Sequence, residues 1–206
     1  MRPLDAPPRG WSSVPRPLAD TTVSTAKGST LSYYGYVFEV PWNKIEHEWD
    51  DGWTVRIRFG TGQTIILNNP EYFPSNPIGP DIPESKYEQC KAIVSTIPSQ
   101  WSPFRSHREF ARVRRLLEIK GAWFEHNTAA PDIFSFSTNY YRGFEFSGLS
   151  HDWQHVTVNF FDTKDRWLQI NILGDAGNHV RLTQSEINRL IQSFRSLPSA
   201  QTRQRN

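Results

Sequence analysis

Polar and apolar positions alternate most regularly between residues 154 and 173. Val156, Val158 and Phe160 fall on one face, and Leu168, Ile170 and Ile172 repeat the pattern beyond a break at Lys164. A loop centred on Lys164 pairs 160 with 168, 158 with 170 and 156 with 172, placing all six on one side. The same register sets Phe161 across from Trp167 on the opposite side, a favourable aromatic pair. One register satisfies both faces, so the stretch predicts an antiparallel hairpin. GWTVRIRFGTGQTIILNN predicts a second. Its turn at Gly60, Thr61 and Gly62 sets Phe59 opposite Gln63, Ile57 opposite Ile65 and Val55 opposite Leu67, with Arg56 and Arg58 on the other face. TLSYYGYVFEVPW reads as one strand carrying Tyr34, Tyr36, Phe38 and Val40 on a single face. AWFEHN, DIFSFS and YRGFEFSG read as short strands separated by Pro131, Asn139 and Gly143.

Between the two hairpins the period lengthens to that of helices. ESKYEQCKAIVST predicts a short helix. A second helix starts near Ser102 or Ser106 and ends before Gly121; Ser106 with Glu109 forms a capping box, and Phe110, Val113, Leu116 and Leu117 form the buried stripe. A last helix opens on another capping box, Thr183 with Glu186. It carries Ile187, Leu190, Ile191, Phe194 and Leu197 on one face and stops at Pro198. Residues 70–83 hold five prolines and predict a loop. The order of elements gives an α+β fold class, an antiparallel β-sheet flanked by helices as an α/β/α sandwich. Residues 1–29, with five prolines and little apolar periodicity, form an extended N-terminal arm; residues 30–197 form a single α+β domain; residues 198–206 form a polar tail.

Composition narrows the picture. The 206 residues suffice to bury a core without disulfides or metal, and a 14% aromatic content with eight Trp and thirteen Phe makes that core rich in rings. A net charge of +2 argues against a dedicated nucleic-acid binder. A single cysteine, Cys90, excludes an internal disulfide and any CxxC motif. No apolar run approaches the roughly 18–20 residues needed to span a bilayer. The chain is therefore expected to be soluble, cytoplasmic by default, or extracytoplasmic if a signal or anchor was removed ahead of the arm. Membrane association would need such an anchor.

YYGYVFEVPW resembles the opening strand of the Mog1/PsbP-like fold, in which a Gly-aromatic-x-Phe strand is followed by Pro and Trp. The later order of hairpin, helix, antiparallel meander and a C-terminal helix ending in Ser193 and Phe194 is similar as well. The resemblance covers roughly residues 30–197; the Pro-rich insert at 70–83 departs from it. It implies a non-enzymatic protein that assists the assembly of larger complexes or binds a small GTPase, and it carries over no binding residue.

Candidate chemistry is sparse. His151 and His155 have the i, i+4 spacing of two metal ligands on a helix, but residues from 156 onward read as strand. On a strand they share a face about 13 Å apart, too far for one ion bound at roughly 2.0–2.1 Å per His. Only a loop before the strand could gather His151, Asp152 and His155. EHEWDD reads as a solvated acidic turn. Asp162 and Asp165 read as turn residues whose carboxylates bond nearby backbone N–H groups. Cys90 reads as a small core residue. No GxSxG, phosphate-cradling or dinucleotide motif occurs. Arg105, Arg108, Arg112 and Arg115 fall within about 80° of one another around their helix, opposite the apolar stripe. Such a stripe could hold carboxylates or phosphates, or be a solvated face partnered by Glu109 and Glu118. Trp11 on the arm could anchor a partner.

These readings favour a non-enzymatic binding or accessory subunit that docks on a larger protein complex through the arginine stripe and Trp11, with no cofactor and no catalytic residue expected. The alternatives are a metal-binding regulatory protein using His151, Asp152 and His155, or a hydrolase of unknown substrate.

Overall fold

In the computed structural model the chain is described over residues 10–68, 85–100, 106–150, 153–175 and 180–197. The order begins β1 (Arg16–Pro17), β2 (Ser29–Tyr33), β3 (Tyr36–Val40), β4 (Ile45–Asp50), β5 (Thr54–Phe59), β6 (Thr64–Asn68), α1 (Lys86–Ser95) and α2 (His107–Trp123). It continues with β7 (Asp132–Ser137), β8 (Tyr141–Ser150), β9 (Trp153–Asp162), β10 (Trp167–Asp175), α3 (Gln184–Ser193) and β11 (Arg195–Ser196). Eight strands form one large sheet in the order β1-β7-β8-β9-β10-β6-β5-β4, antiparallel except for the β1–β7 pair; β11-β3-β2 form a small second sheet. The class is α+β. Among the described residues no helix is long and apolar enough to cross a membrane.

The two expected hairpins form in the expected register. Phe160 pairs with Leu168, Val158 with Ile170, Val156 with Ile172 and Phe161 with Trp167. Ile57 pairs with Ile65 and Val55 with Leu67. Because successive strand residues point to opposite faces, the register sorts side chains into two sets. Val156, Val158, Phe160, Leu168, Ile170 and Ile172 are buried in one cluster with Ile65 and Leu67, with Phe38 and Val40 of β3, and with Ile187, Leu190 and Ile191 of α3. Each such side chain contributes about 1.5–3 kcal/mol by leaving water. The opposite face gives Phe144, Phe146, Phe161 and Trp167, which cluster with Cys90 and Val94 of α1 and with Phe124 at the end of α2.

Several local expectations need correction. TLSYYGYVFEVPW is not one strand but the hairpin β2–β3, with Tyr33 paired to Tyr36. Tyr34 and Gly35 both take positive φ, 48° and 79°, as a tight two-residue hairpin turn requires. AWFEHN is not a strand: α2 runs through Gly121 to Trp123, and the chain then turns. EHEWDD lies mostly in the edge strand β4, and the turn follows it, where Asp51 accepts from the backbone N–H groups of Trp53 and Thr54. α3 ends at Ser193, and Phe194 is extended so that β11 can pair with β3. The capping box of α2 is present at Ser106 and Glu109. At α3, the Glu186 carboxylate accepts from both the backbone N and Oγ1 of Thr183. A helix start at Ser102, the proline-rich stretch 70–83 and the tail 198–206 lie outside the described residues.

The described part of the N-terminal arm lies along the domain. Arg16 and Pro17 pair in parallel with Phe134 and Ser135 of β7. Asn188 Nδ2 donates to the carbonyls of Asp20 and Thr22, both at 2.8 Å, and Arg189 donates to those of Ser24 and Ala26. Lys120 of α2 is fully buried, and its Nζ faces four carbonyl oxygens: Trp11 at 3.2 Å, Ser13 at 2.5 Å, and Val94 and Thr96 at 2.8 Å each.

Candidate ligand-binding cleft

The alternation that sends Val156, Val158 and Phe160 into the core sends His155, Thr157 and Asn159 to the other face of β9. On β10 the same rule places Trp167, Gln169 and Asn171 on that face. Asn159 lies beside Gln169 and Thr157 beside Asn171 in register, and Asn68 of β6 lies beside Thr54 of β5. The row continues from β10 to β6 through a hydrogen bond from Asn68 Nδ2 to Gln169 Oε1 at 2.5 Å. Four strands thus carry an uncharged polar row, Asn159, Gln169, Asn68 and Thr54, at the ~4.8 Å spacing of adjacent strands.

This floor is internally bonded. Thr157 Oγ1 donates to Asn171 Oδ1 at 2.8 Å, Asn171 Nδ2 to Gln169 Oε1 at 3.5 Å, and Gln169 Nε2 to Asn159 Oδ1 at 3.3 Å. Trp167 Nε1 also donates to Asn159 Oδ1, at 3.0 Å. An indole N–H is a donor only, so it fixes which end of the Asn159 amide faces it. Asn159 Nδ2 is left buried with no hydrogen-bond partner among the described residues, although the residue is only 4% exposed. An unmade hydrogen bond of this kind costs about 1–3 kcal/mol.

Walls rise around the floor from Trp53 before β5, Trp123 and Phe124 at the end of α2, Phe146 of β8 and Cys90 of α1. Phe146 meets both Trp123, at a ring-centroid distance of 6.0 Å, and Phe124, at 5.5 Å edge-on. Together they enclose about 530 Å³, within the range of small-molecule sites. Among the described residues that line it, none is Asp, Glu, Lys or Arg. Burial holds the His155 imidazole below its ordinary pKa and pushes the Cys90 thiol well above its own. Burial is the sole cause in each case, so the two groups do not activate one another: a thiolate–imidazolium pair would shift both the opposite way.

Of the residues singled out by sequence, Arg105, His151 and Asp152 lie outside the described residues. Arg108, Arg112 and Arg115 stand on the exposed face of α2; Arg115 Nη1 lies 3.7 Å from Glu118 Oε2, and Arg114 Nε lies 2.9 Å from Glu118 Oε1. Trp11 is half-buried beside Gly121, where a Cβ would come within 2.7 Å of its Nε1. His155 lines the cleft. Among the described residues no three of His, Cys, Asp and Glu gather as a metal would need. Asp162 accepts from the backbone N–H groups of Lys164 and Arg166 and from Arg166 Nε. Asp165 accepts from the N–H groups of Lys86 and Tyr87 at the start of α1. Both carboxylates thus bond backbone, one of them at the positive end of a helix dipole.

Sequence reasoning missed Asn68, Thr157, Asn159, Gln169 and Asn171. A signal was there: H-x-T-x-N on one strand and Q-x-N on the next put only uncharged polar groups on the face opposite the core, beyond the Phe161–Trp167 pair. Compared with protein-family models and with curated proteins, the chain matches none.

Proposed function

We propose that the protein is a non-enzymatic binding protein whose cleft takes a small, uncharged organic molecule. The observation that carries this reading is Asn159 Nδ2, a buried donor at the floor of an aromatic-walled cleft with no partner among the described residues. Such a group is costly in an empty site and becomes useful when a ligand supplies the acceptor. Among the described residues that line the cleft, Cys90 and His155 are both held neutral by burial, which favours binding over the hydrolase alternative. The test is a thermal-shift screen of uncharged small molecules on the full chain. A true ligand at about 100 times its Kd adds about 2.7 kcal/mol to stability. A flat response across a chemically broad neutral library would sink the reading.

A docking role on a larger protein complex remains a second reading, favoured by one feature. Among the described strands β4 forms one edge of the large sheet, and Ile45, Trp49 and the adjacent Trp53 are all about half exposed there. An edge strand of this kind can accept a partner strand. Tandem purification from native cells tests it, and a chain that elutes alone and monodisperse speaks against it. On architecture, the placement of α3 against one face of the sheet and of α1 and the end of α2 against the other supports an α/β/α sandwich of the Mog1/PsbP-like kind.

A further inference from the structure

We infer that the ligand of the cleft is a neutral sugar, one or a few linked rings standing edge-on over the amide floor with their C–H faces against tryptophan. This rests on the reading of the cleft as a binding site, and it follows from which hydrogen-bonding capacity the floor leaves over.

Asn159 Nδ2 has no acceptor among the described residues, and the Trp167 indole fixes which end of the amide is the nitrogen. Each primary amide nitrogen carries two protons. Gln169 Nε2, Asn171 Nδ2 and Asn68 Nδ2 each spend one proton inside the network and, among the described residues, keep a second. Acceptors stand among these donors: Asn68 Oδ1, Thr54 Oγ1 and one ring nitrogen of His155, whose pKa burial lowers. Donors and acceptors are thus mixed, and they are spread over four strands at ~4.8 Å steps. A hydroxyl donates one hydrogen bond and accepts two, so a polyhydroxylated ring can answer such a mixed field wherever it falls. A planar heteroaromatic ligand gathers its polar atoms on one edge and would leave most of the row unmatched.

Charge narrows the class further. Among the described residues the cleft is lined by no ionised side chain, so against this lining a phosphate, sulfate or carboxylate would lose its hydration with no opposite charge to replace it. The aromatic residues complete the fit. Trp53 is 58% exposed on the β5 side, and Trp123 rises on the β8 side. Both offer flat apolar surface to the C–H face of a pyranose while the ring hydroxyls turn down to the amides.

The test is titration of the full chain, by calorimetry and tryptophan emission, against two panels. One holds neutral hexoses and pentoses with their linked di- and trisaccharides; the other holds uncharged planar heteroaromatics bearing a ring carbonyl. The expected result is saturable binding of at least one neutral saccharide and none of its uronic-acid counterpart. Trp53→Ala, at a position 58% exposed, should weaken it roughly tenfold, with circular dichroism confirming the fold. Asn159→Ala should abolish it, with circular dichroism confirming that the variant folds. If planar heteroaromatics bind and saccharides do not, the sugar inference falls while the binding cleft stands. If a saccharide binds equally well to Trp53→Ala and to a folded Asn159→Ala, its site is elsewhere and the inference falls too. If neither panel nor any other neutral molecule binds, the binding reading itself is lost.

Discussion

Glu145 sits on β8 between Phe134 of β7 and Val158 of β9, fully buried on the apolar side of the sheet. Its carboxylate accepts from Gln184 Nε2 at 2.8 Å and from Ser147 Oγ at 3.2 Å. Burial dominates these bonds and raises its pKa above the ordinary carboxyl value. The folded chain therefore holds this proton more tightly than the unfolded chain does. The associated stability is fully present below the unfolded-state pKa and is lost as pH climbs through the higher folded-state pKa. Glu145→Gln removes the titration while keeping polar atoms in place. It should be more stable than the parent at pH 7, by about 1 kcal/mol or more, with the gain vanishing near pH 4. Thermal melts of both proteins between those limits decide it; a variant less stable throughout would show that the ionised form is favoured where it lies.

At the scale of elements, the β8–β9 pairing depends on one small residue. A Cβ on Gly143 would lie 1.9 Å from the carbonyl oxygen of Asn159, a clash with backbone that no rotamer relieves. Gly143→Ala should part the two strands and cost about 3 kcal/mol or more in urea unfolding. A loss under about 1 kcal/mol would mean the strands can separate freely. The β9–β10 hairpin was legible in the sequence because its two faces carry independent patterns, the aliphatic pairs and Phe161 with Trp167, that agree on one register. The β2–β3 hairpin was not, because its turn places Tyr34 at φ 48°, where bulky side chains are rare, and alternation runs on across it. Gly121 misled in the other direction. Glycine commonly follows a helix end, yet here it lies inside α2 and makes room for Trp11. The cleft stayed hidden because polar residues on the second face of a strand ordinarily meet water. Only the tertiary placement of Trp123, Phe124 and Cys90 turns that face into a floor, and no local pattern encodes it.

At the scale of the molecule, Lys120 joins three segments distant in sequence: residues 11–13, the end of α1 and α2 itself. Burial draws its pKa down to about 8, so the ammonium remains charged at neutral pH. Lys120→Met fills similar space but strands four carbonyls without their donor, and should cost about 3 kcal/mol on chemical denaturation. It should also open the arm near residue 13 to proteolysis ahead of global unfolding; an arm as resistant as the parent's would show that the grip lies elsewhere. The arm is held at its other end by Asn188, Arg189 and Gln192 of α3, across separations of 163 to 171 residues. This gives the chain a temporal order. Residues 20–26 leave the ribosome long before the helix that must receive them, and loop closure over such a span is slow. A stretch made early is thus seated only after α3 has been synthesised.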